Sequence, residues 1–255
     1  MKIIISPAKK MNVDTDTLPF GDLPVFIERT EEIKAWVQDK NYEQLKKLWS
    51  CNDKIAEQNY ERFRNMDLRR QLTPALLSYE GIAYQYMAPY VFSDRQWTYV
   101  QEHLRILSGF YGILKPLDGV VPYRLEMQAK AAIGGCKNLY DYWGDGIYKA
   151  LTGGHERQLI VNLASAEYSK CIEKYLPADN NYVTVIFGEW KDGKVIQKGT
   201  MAKMARGEMV RYMSSIQAAD VEDIKTFTGL GYVYQEELSD HKKLVFIKSG
   251  ADTES

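Results

Sequence analysis

Residues 3–9 read Ile3-Ile4-Ile5-Ser6-Pro7-Ala8-Lys9: three consecutive apolar residues that run into small, kinked and cationic ones. An apolar run this short makes no helix of its own and reads as a strand buried on both faces, because successive strand side chains point to opposite sides. The construction recurs. Ala75–Leu77 runs into Ser78, Ile106-Leu107 into Ser108-Gly109, and Leu159–Val161 into Asn162-Leu163-Ala164-Ser165. Helical segments separate these runs, which predicts a largely parallel sheet with helices on both faces, since crossovers between parallel strands return along a face.

The helical segments carry their own signals. Pro24 suits a first helical position, and Phe26, Ile27, Ile33 and Val37 follow at roughly helical spacing. Ser50 with Asp53 resembles a capping box ahead of a stripe of Ile55, Asn59, Phe63 and Met66. Ser93 with Gln96 matches the box better and predicts a helix over 94–103 that buries Trp97, Val100 and Leu104. The last third has a different character, for Val183–Phe187, a turn at Asp192-Gly193 and Val195–Gln197 read as a hairpin. Thr200 caps a helix through Met213, and Tyr232–Tyr234 with Leu244–Ile247 form a closing strand pair. The expectation is one α/β (mixed α+β) domain over 1–255, its mixed sheet having a parallel core and an antiparallel C-terminal part.

Composition bounds the function. With 45% hydrophobic and 26% charged residues over 255 positions, the chain folds and buries a sizeable core. Lys plus Arg is 33 against 34 for Asp plus Glu, so the net charge of -1 exerts no global pull on nucleic acid or membrane, and any polyanion must be held by a local patch. Met1–Ser6 reads as a strand rather than a signal peptide, and no apolar run reaches membrane-spanning length, so a soluble cytoplasmic protein is expected. Cys51, Cys136 and Cys171 lack the spacing of a zinc site or a dithiol and read as reduced thiols. His103, His155 and His241 are far apart, and neither G-x-S-x-G nor H-E-x-x-H occurs; no metal site is expected, and no catalytic residue is assigned.

The polar chemistry collects where the strands end. Ligands of open α/β sheets bind beyond the carboxyl ends of the strands, so Ser6, Pro7, Lys9, Ser108, Asn162 and Ser165 are expected to line one cleft. Small residues also end strands because turns need them, so each position has a plain capping alternative. Lys9 and Asn162 are the most informative members. Tyr123, Arg124 and Glu126 add an aromatic and an ion pair, Tyr140 and Trp143 stand one helical turn apart on a shared exposed face, and Glu167 is an acid or base if buried. Leu107–Lys115 reads in two ways: a helix-hairpin-helix within 94–115, in which Gly109, Gly112 and Lys115 hold a phosphate, or a plain strand-to-helix turn. Lys198, Lys203, Arg206 and Arg211 form a basic cluster in which Lys203 and Arg206 share a helix face beside Gly207, with Glu208 partly neutralising it.

Taken in order, Ile5–Lys9, Leu107–Gly112, Pro116–Asp118, Pro122–Met127, Tyr140 with Trp143–Asp145, Val161–Ser165, Glu167-Tyr168, and Lys203 with Ala205–Gly207 resemble the motifs of the YaaA family of peroxide-stress proteins, and Gly231-Tyr232 adds a match near the end. That resemblance implies a cytoplasmic role in the bacterial peroxide response, limiting oxidative damage to DNA and protein by restraining unincorporated iron. It also implies binding of duplex or branched DNA through a positive cleft and a helix-hairpin-helix, for which Lys9, Gly109, Gly112, Lys203 and Arg206 are the matching positions. No cofactor is implied, and a monomer is expected. Two functional classes follow: a DNA-binding protective protein, which is favoured, and an enzyme acting on a nucleotide-like small molecule. Cleft width separates them, because a duplex needs an open groove and a nucleotide an enclosed pocket.

Overall fold

The structure, a computed structural model, describes residues 1–155 and 157–249. Strand β1, Lys2–Ile5, opens the chain and is followed by the short strand β2, Lys10–Met11. Three helices come next: α1 (Ile27–Gln38), α2 (Tyr42–Trp49) and α3 (Asp53–Arg64). Asn41 starts α2 with a reciprocal box to Gln44, each bond 3.0 Å. Helix α3 is capped by Asn52, which accepts from the Ile55 amide, and not by the Ser50 box read from the sequence. Ser50 instead ends α2 in the left-handed conformation, which removes it from the start of α3.

The second quarter holds β3 (Thr73–Pro74), α4 (Ala75–Ser78), β4 (Tyr79–Glu80), α5 (Ile82–Met87) and α6 (Asp94–His103). The Ser93 and Gln96 box caps α6 as expected, with the same bounds. The strand expected at Ala75–Leu77 is one turn of helix. Its amides at Ala75 and Leu76 donate to the Asp118 and Pro116 carbonyls, so this fully buried segment is satisfied by a neighbouring loop rather than by a sheet.

Helix α6 runs directly into β5 (Leu104–Ser108), followed by β6 (Gly112–Leu114) and β7 (Gly119–Val120). Strands β5 and β6 pair antiparallel with Ser108 opposite Gly112, so residues 94–115 are a helix followed by a β-hairpin and not a helix-hairpin-helix. The two-residue spacing of the glycines makes a tight strand turn, which the helical motif cannot use. Then follow α7 (Leu139–Trp143), α8 (Gly146–Thr152), β8 (Ile160–Asn162) and α9 (Ala166–Glu173). The chain closes with β9 (Tyr182–Lys191), β10 (Lys194–Ile196), α10 (Gly199–Ile216), α11 (Val221–Lys225), β11 (Tyr232–Tyr234) and β12 (Lys243–Lys248). Asp192 and Gly193 both take positive φ in the β9–β10 turn, as the hairpin reading requires. Helix α10 starts at Gly199 with Lys198 as its cap position, two residues before the expected cap at Thr200, and continues past Met213 to Ile216.

The main sheet has the order β11-β12-β9-β8-β1-β5-β6, with β10 pairing β9 off that path. The five central strands are mutually parallel, and β6 and β11 pair antiparallel at the two edges. The C-terminal part is therefore only partly antiparallel, since β12 returns parallel to β9. Residues 3–5, 106–108 and 160–162 are buried without alternation, which a strand permits only when both of its faces are covered. Among the described residues no helix is long and apolar enough to cross a membrane. The three cysteines are free thiols, and burial pushes the Cys171 thiol up to about 12.

Candidate functional site

A cavity of about 420 Å³ opens beyond the carboxyl end of β1, bounded by the loop after β1, helix α5, residues 123–126, the start of α9 and one face of α10. Its floor is sewn by local chemistry. Ser6 Oγ accepts from the Ser165 amide at 2.8 Å and meets Ser165 Oγ at 3.2 Å, which joins the end of β1 to the first turn of α9. Tyr84 on α5 donates its hydroxyl to the Ser6 carbonyl at 3.0 Å. On the far wall Gly207 lets α10 press against α5: a Cβ there would collide with the Ala83 carbonyl oxygen, so no larger residue allows the two helices this approach.

The electrostatics are mixed and dense. Lys9 Nζ lies 2.6 Å from Glu126 Oε1, and Arg124 Nη2 reaches the same oxygen at 3.8 Å. Lys10 pairs with Glu80 at the mouth. Glu167 is half-buried, and burial, reinforced by Glu126, holds its carboxyl above the usual range against opposing help from the Gln128 amide and Lys9. The walls are aromatic: Tyr84, Tyr123 and Tyr168 are all buried, and burial raises each phenol, Tyr123 to about 12.

Arg206 is the exception among these charges. Burial lowers its guanidinium pKa, its Nε is sealed from solvent, and it makes no hydrogen bond or ion pair with any described residue. Arg124 Nε is likewise enclosed without a partner, although its outer nitrogen has Glu126. A buried cation without an anion is costly, and proteins rarely keep one unless a ligand completes it.

Of the residues expected to gather here, Ser6, Pro7, Lys9, Tyr123, Arg124, Glu126, Ser165, Glu167, Lys203 and Arg206 line the cavity. The others are elsewhere. Asn162 sits just behind, capping its own strand end through the Ala164 amide at 2.9 Å and reaching Thr184, the plain capping alternative. Ser108 is fully buried: its Oγ accepts from the Phe110 and Tyr111 amides and meets Tyr123 Oη at 2.6 Å, which in turn meets Tyr79 Oη at 2.8 Å. It acts behind the wall rather than on it.

Gly109 and Gly112 belong to the core. A Cβ on Gly109 would stand 2.7 Å from the Leu125 carbonyl oxygen, and Gly112, at φ +74°, faces the rings of Phe26 and Trp143. The turn between them presents no amide to a phosphate, because the interior N–H groups are spent on Ser108. Trp143 does not share an exposed face with Tyr140. It is 1% exposed, donates Nε1 to the Gly109 carbonyl at 3.1 Å and carries the Arg29 guanidinium 4.7 Å above its ring. Tyr140 donates to the Glu167 carbonyl at 2.8 Å, supporting α9 from behind.

Lys115 is exposed at the opposite end of the sheet, among charges that include Lys2 and Asp118. Arg211 is exposed farther along α10, and Lys198 pairs with Glu189 at 2.6 Å; neither lines the cavity. Sequence reasoning missed Tyr84, Met87, Glu80 and Tyr168. The Glu167-Tyr168 pair is visible as a motif, but α5 carries no polar signature, and only its contact with α10 brings Tyr84 to the site. Among the described residues no group of three His, Cys, Asp or Glu side chains is placed to hold a metal ion.

Comparison with known proteins finds similarity along nearly the whole chain. A family model described as "Peroxide stress protein YaaA" matches residues 1–238. A UPF0246 protein of Agathobacter rectalis is 58% identical over 246 residues, covering 96% of this chain and 98% of that protein. Another UPF0246 protein, from Desulfitobacterium hafniense, is 58% identical over 99% of this chain and all of its own length, and one from Pediococcus pentosaceus is 51% identical over 98% of each.

Proposed function

The chain belongs to the YaaA family of peroxide-stress proteins, and from that premise we propose that it serves the peroxide response by binding a small nucleotide-like anion in the cavity at the end of β1. One observation carries this reading: Arg206, half-buried with its Nε sealed from solvent and without a hydrogen-bond or ion-pair partner among the described residues, lines a cavity walled by tyrosines. A guanidinium offers a planar fork that a phosphate or carboxylate fills with two bonds, and the apolar lining that includes Ile82, Met87 and Leu125 leaves room for a ring beside it. A volume of about 420 Å³ suits such a molecule and is closed to a duplex. Glu167, a half-buried carboxyl that desolvation raises above the usual range, is the candidate acid or base for a reaction there.

The test is calorimetric titration of nucleoside monophosphates into the protein and into Arg206→Met. Removing charge-assisted hydrogen bonds worth about 1.5–3 kcal/mol should weaken binding by roughly 10- to 100-fold. Equal affinity in both proteins sinks the reading.

A second reading has its own support. Lys9, Lys10 and Lys203 are exposed at the cavity mouth, where they suit the phosphates of duplex or branched DNA without contact to base edges. Anisotropy titrations of a labelled duplex across a salt series measure it directly; a slope of log K on log salt near zero, or no binding at low salt, removes it.

A further inference from the structure

Behind the Lys9, Arg124 and Glu126 wall lies a second depression of about 710 Å³, formed where α1 and α2 meet residues 128–130. Those three residues line both spaces, so one ion-paired partition divides them. The two sides differ in character. The first is walled by tyrosines, whereas the second is bordered by Lys9, Lys40, Lys47, Arg124 and Lys130 against the single carboxylate of Glu126.

Lys40 is partly spent, pairing with Asp39 at 3.0 Å and lying 4.7 Å from the centre of the Trp36 ring. Lys47 and Lys130 form no ion pair with any described residue. The floor adds an independent observation. Trp49 is 4% exposed and lines the same depression, and its buried indole Nε1 has no acceptor among the described residues. An indole N–H is a donor only, so whatever completes it must bring an acceptor oxygen or nitrogen. A site that pairs unspent donors with uncompensated positive charge is built for a multiply charged oxyanion.

We propose that cavity and depression are two halves of one site, and that its ligand is a nucleoside carrying an oligophosphate chain. The nucleoside and its first phosphate occupy the tyrosine cavity, that phosphate against Arg206. The chain crosses the partition, where Lys9 can swing because its side chain is 67% exposed, and its terminal phosphates meet Lys47, Lys130 and the Trp49 indole. This assignment rests on the nucleotide-like reading of the cavity and extends it to the length and charge of the ligand.

The experiment is a calorimetric titration of the full chain with the four common nucleosides as mono- and triphosphates, and with inorganic tripolyphosphate. The variants are Lys47→Ala/Lys130→Ala, Trp49→Phe and Arg206→Met. A triphosphate should bind at least tenfold tighter than its monophosphate. The double lysine variant should erase that difference while leaving the monophosphate affinity in place. Trp49→Phe keeps the ring and loses the N–H, and should erase part of it with an unchanged melting temperature. Arg206→Met should weaken both nucleotides alike.

Mono- and triphosphate binding equally, or the lysine variant weakening both to the same degree, overturns the two-part site while leaving the cavity reading in place. Nucleotides that fail to bind while tripolyphosphate binds in a lysine-dependent way overturn the cavity reading and, with it, the nucleoside end of this ligand. Lysine-dependent binding of a short single-stranded oligonucleotide, with no nucleotide bound, overturns the small-ligand assignment in favour of a nucleic acid.

Discussion

Two segments of this chain look alike as sequence and have opposite fates. Gly109–Gly112 and Lys203–Gly207 both set glycine beside residues that suit phosphate. In the first, every polar group that can be traced is used internally: Ser108 takes two amides, the Gly109 carbonyl takes the Trp143 indole, and the rings of Phe26 and Trp143 close over Gly112. In the second, Gly207 is equally packed against α5, but Arg206 beside it is left with nothing. The proposed site is thus marked by hydrogen-bonding capacity that folding leaves unspent. Glycine by itself marks only close approach.

The sharpest way to break this contrast is to put a methyl group on the packed turn. Gly109→Ala sets a Cβ against three backbone atoms of residues 125–127, none of which is a flexible side-chain end. It should cost about 3 kcal/mol or more in urea denaturation. A tolerated alanine would mean that the turn is free enough to serve a ligand after all.

Close behind in size is the pH response of the same region. Asp118 is buried, its carboxylate accepts from the Lys115 amide at 2.9 Å, and burial raises its pKa to about 6 despite the opposing pull of Lys115 and Arg105. A raised carboxyl contributes stability that is fully present below the unfolded value, near 3.9, and is lost as pH rises through about 6. The loss amounts to up to about 3 kcal/mol. Asp118→Asn, which keeps an acceptor for the Lys115 amide, should abolish the step between pH 4 and pH 8 and raise stability at the upper end. Denaturation midpoints at pH 4.5, 6 and 8 show whether it does.

Arg206→Met sharpens the contrast from the other side. A guanidinium kept for a ligand costs stability in its absence, so the apolar replacement should raise the melting temperature of the free protein, by about 1 kcal/mol in stability, while ligand affinity falls. A structural arginine would instead lose stability when replaced. The smallest effect belongs to Glu167. If the site holds an anion, affinity should fall less than tenfold as pH rises through the raised pKa of Glu167 and a second negative charge appears beside Glu126. Glu167→Gln should flatten that dependence in titrations at pH 5 and pH 8.

Local signals were legible where one segment decides its own structure. The Ser93 and Gln96 box set the start of α6, and the Asp192-Gly193 turn set the β9–β10 hairpin, because both act over four residues or fewer. Ala75–Leu77 misled, because a buried apolar triplet suits a helical turn as well as a strand, and its amides found partners in residues 116 and 118 rather than in a sheet. Trp143 misled for a related reason: helical spacing tells which residues share a face, not whether that face meets solvent.

The sequence by itself determined the family and the mixed sheet with its parallel centre, since buried apolar runs separated by helical segments leave few other arrangements. Tertiary structure alone decided which charges are paired. Arg124 and Lys9 share Glu126, while Arg206 makes no ion pair among the described residues, and Tyr84 arrives on a helix with no polar signature. Pairing depends on distances of a few ångströms between residues far apart along the chain, and desolvation depends on everything packed around them, so neither is written in any local stretch of sequence.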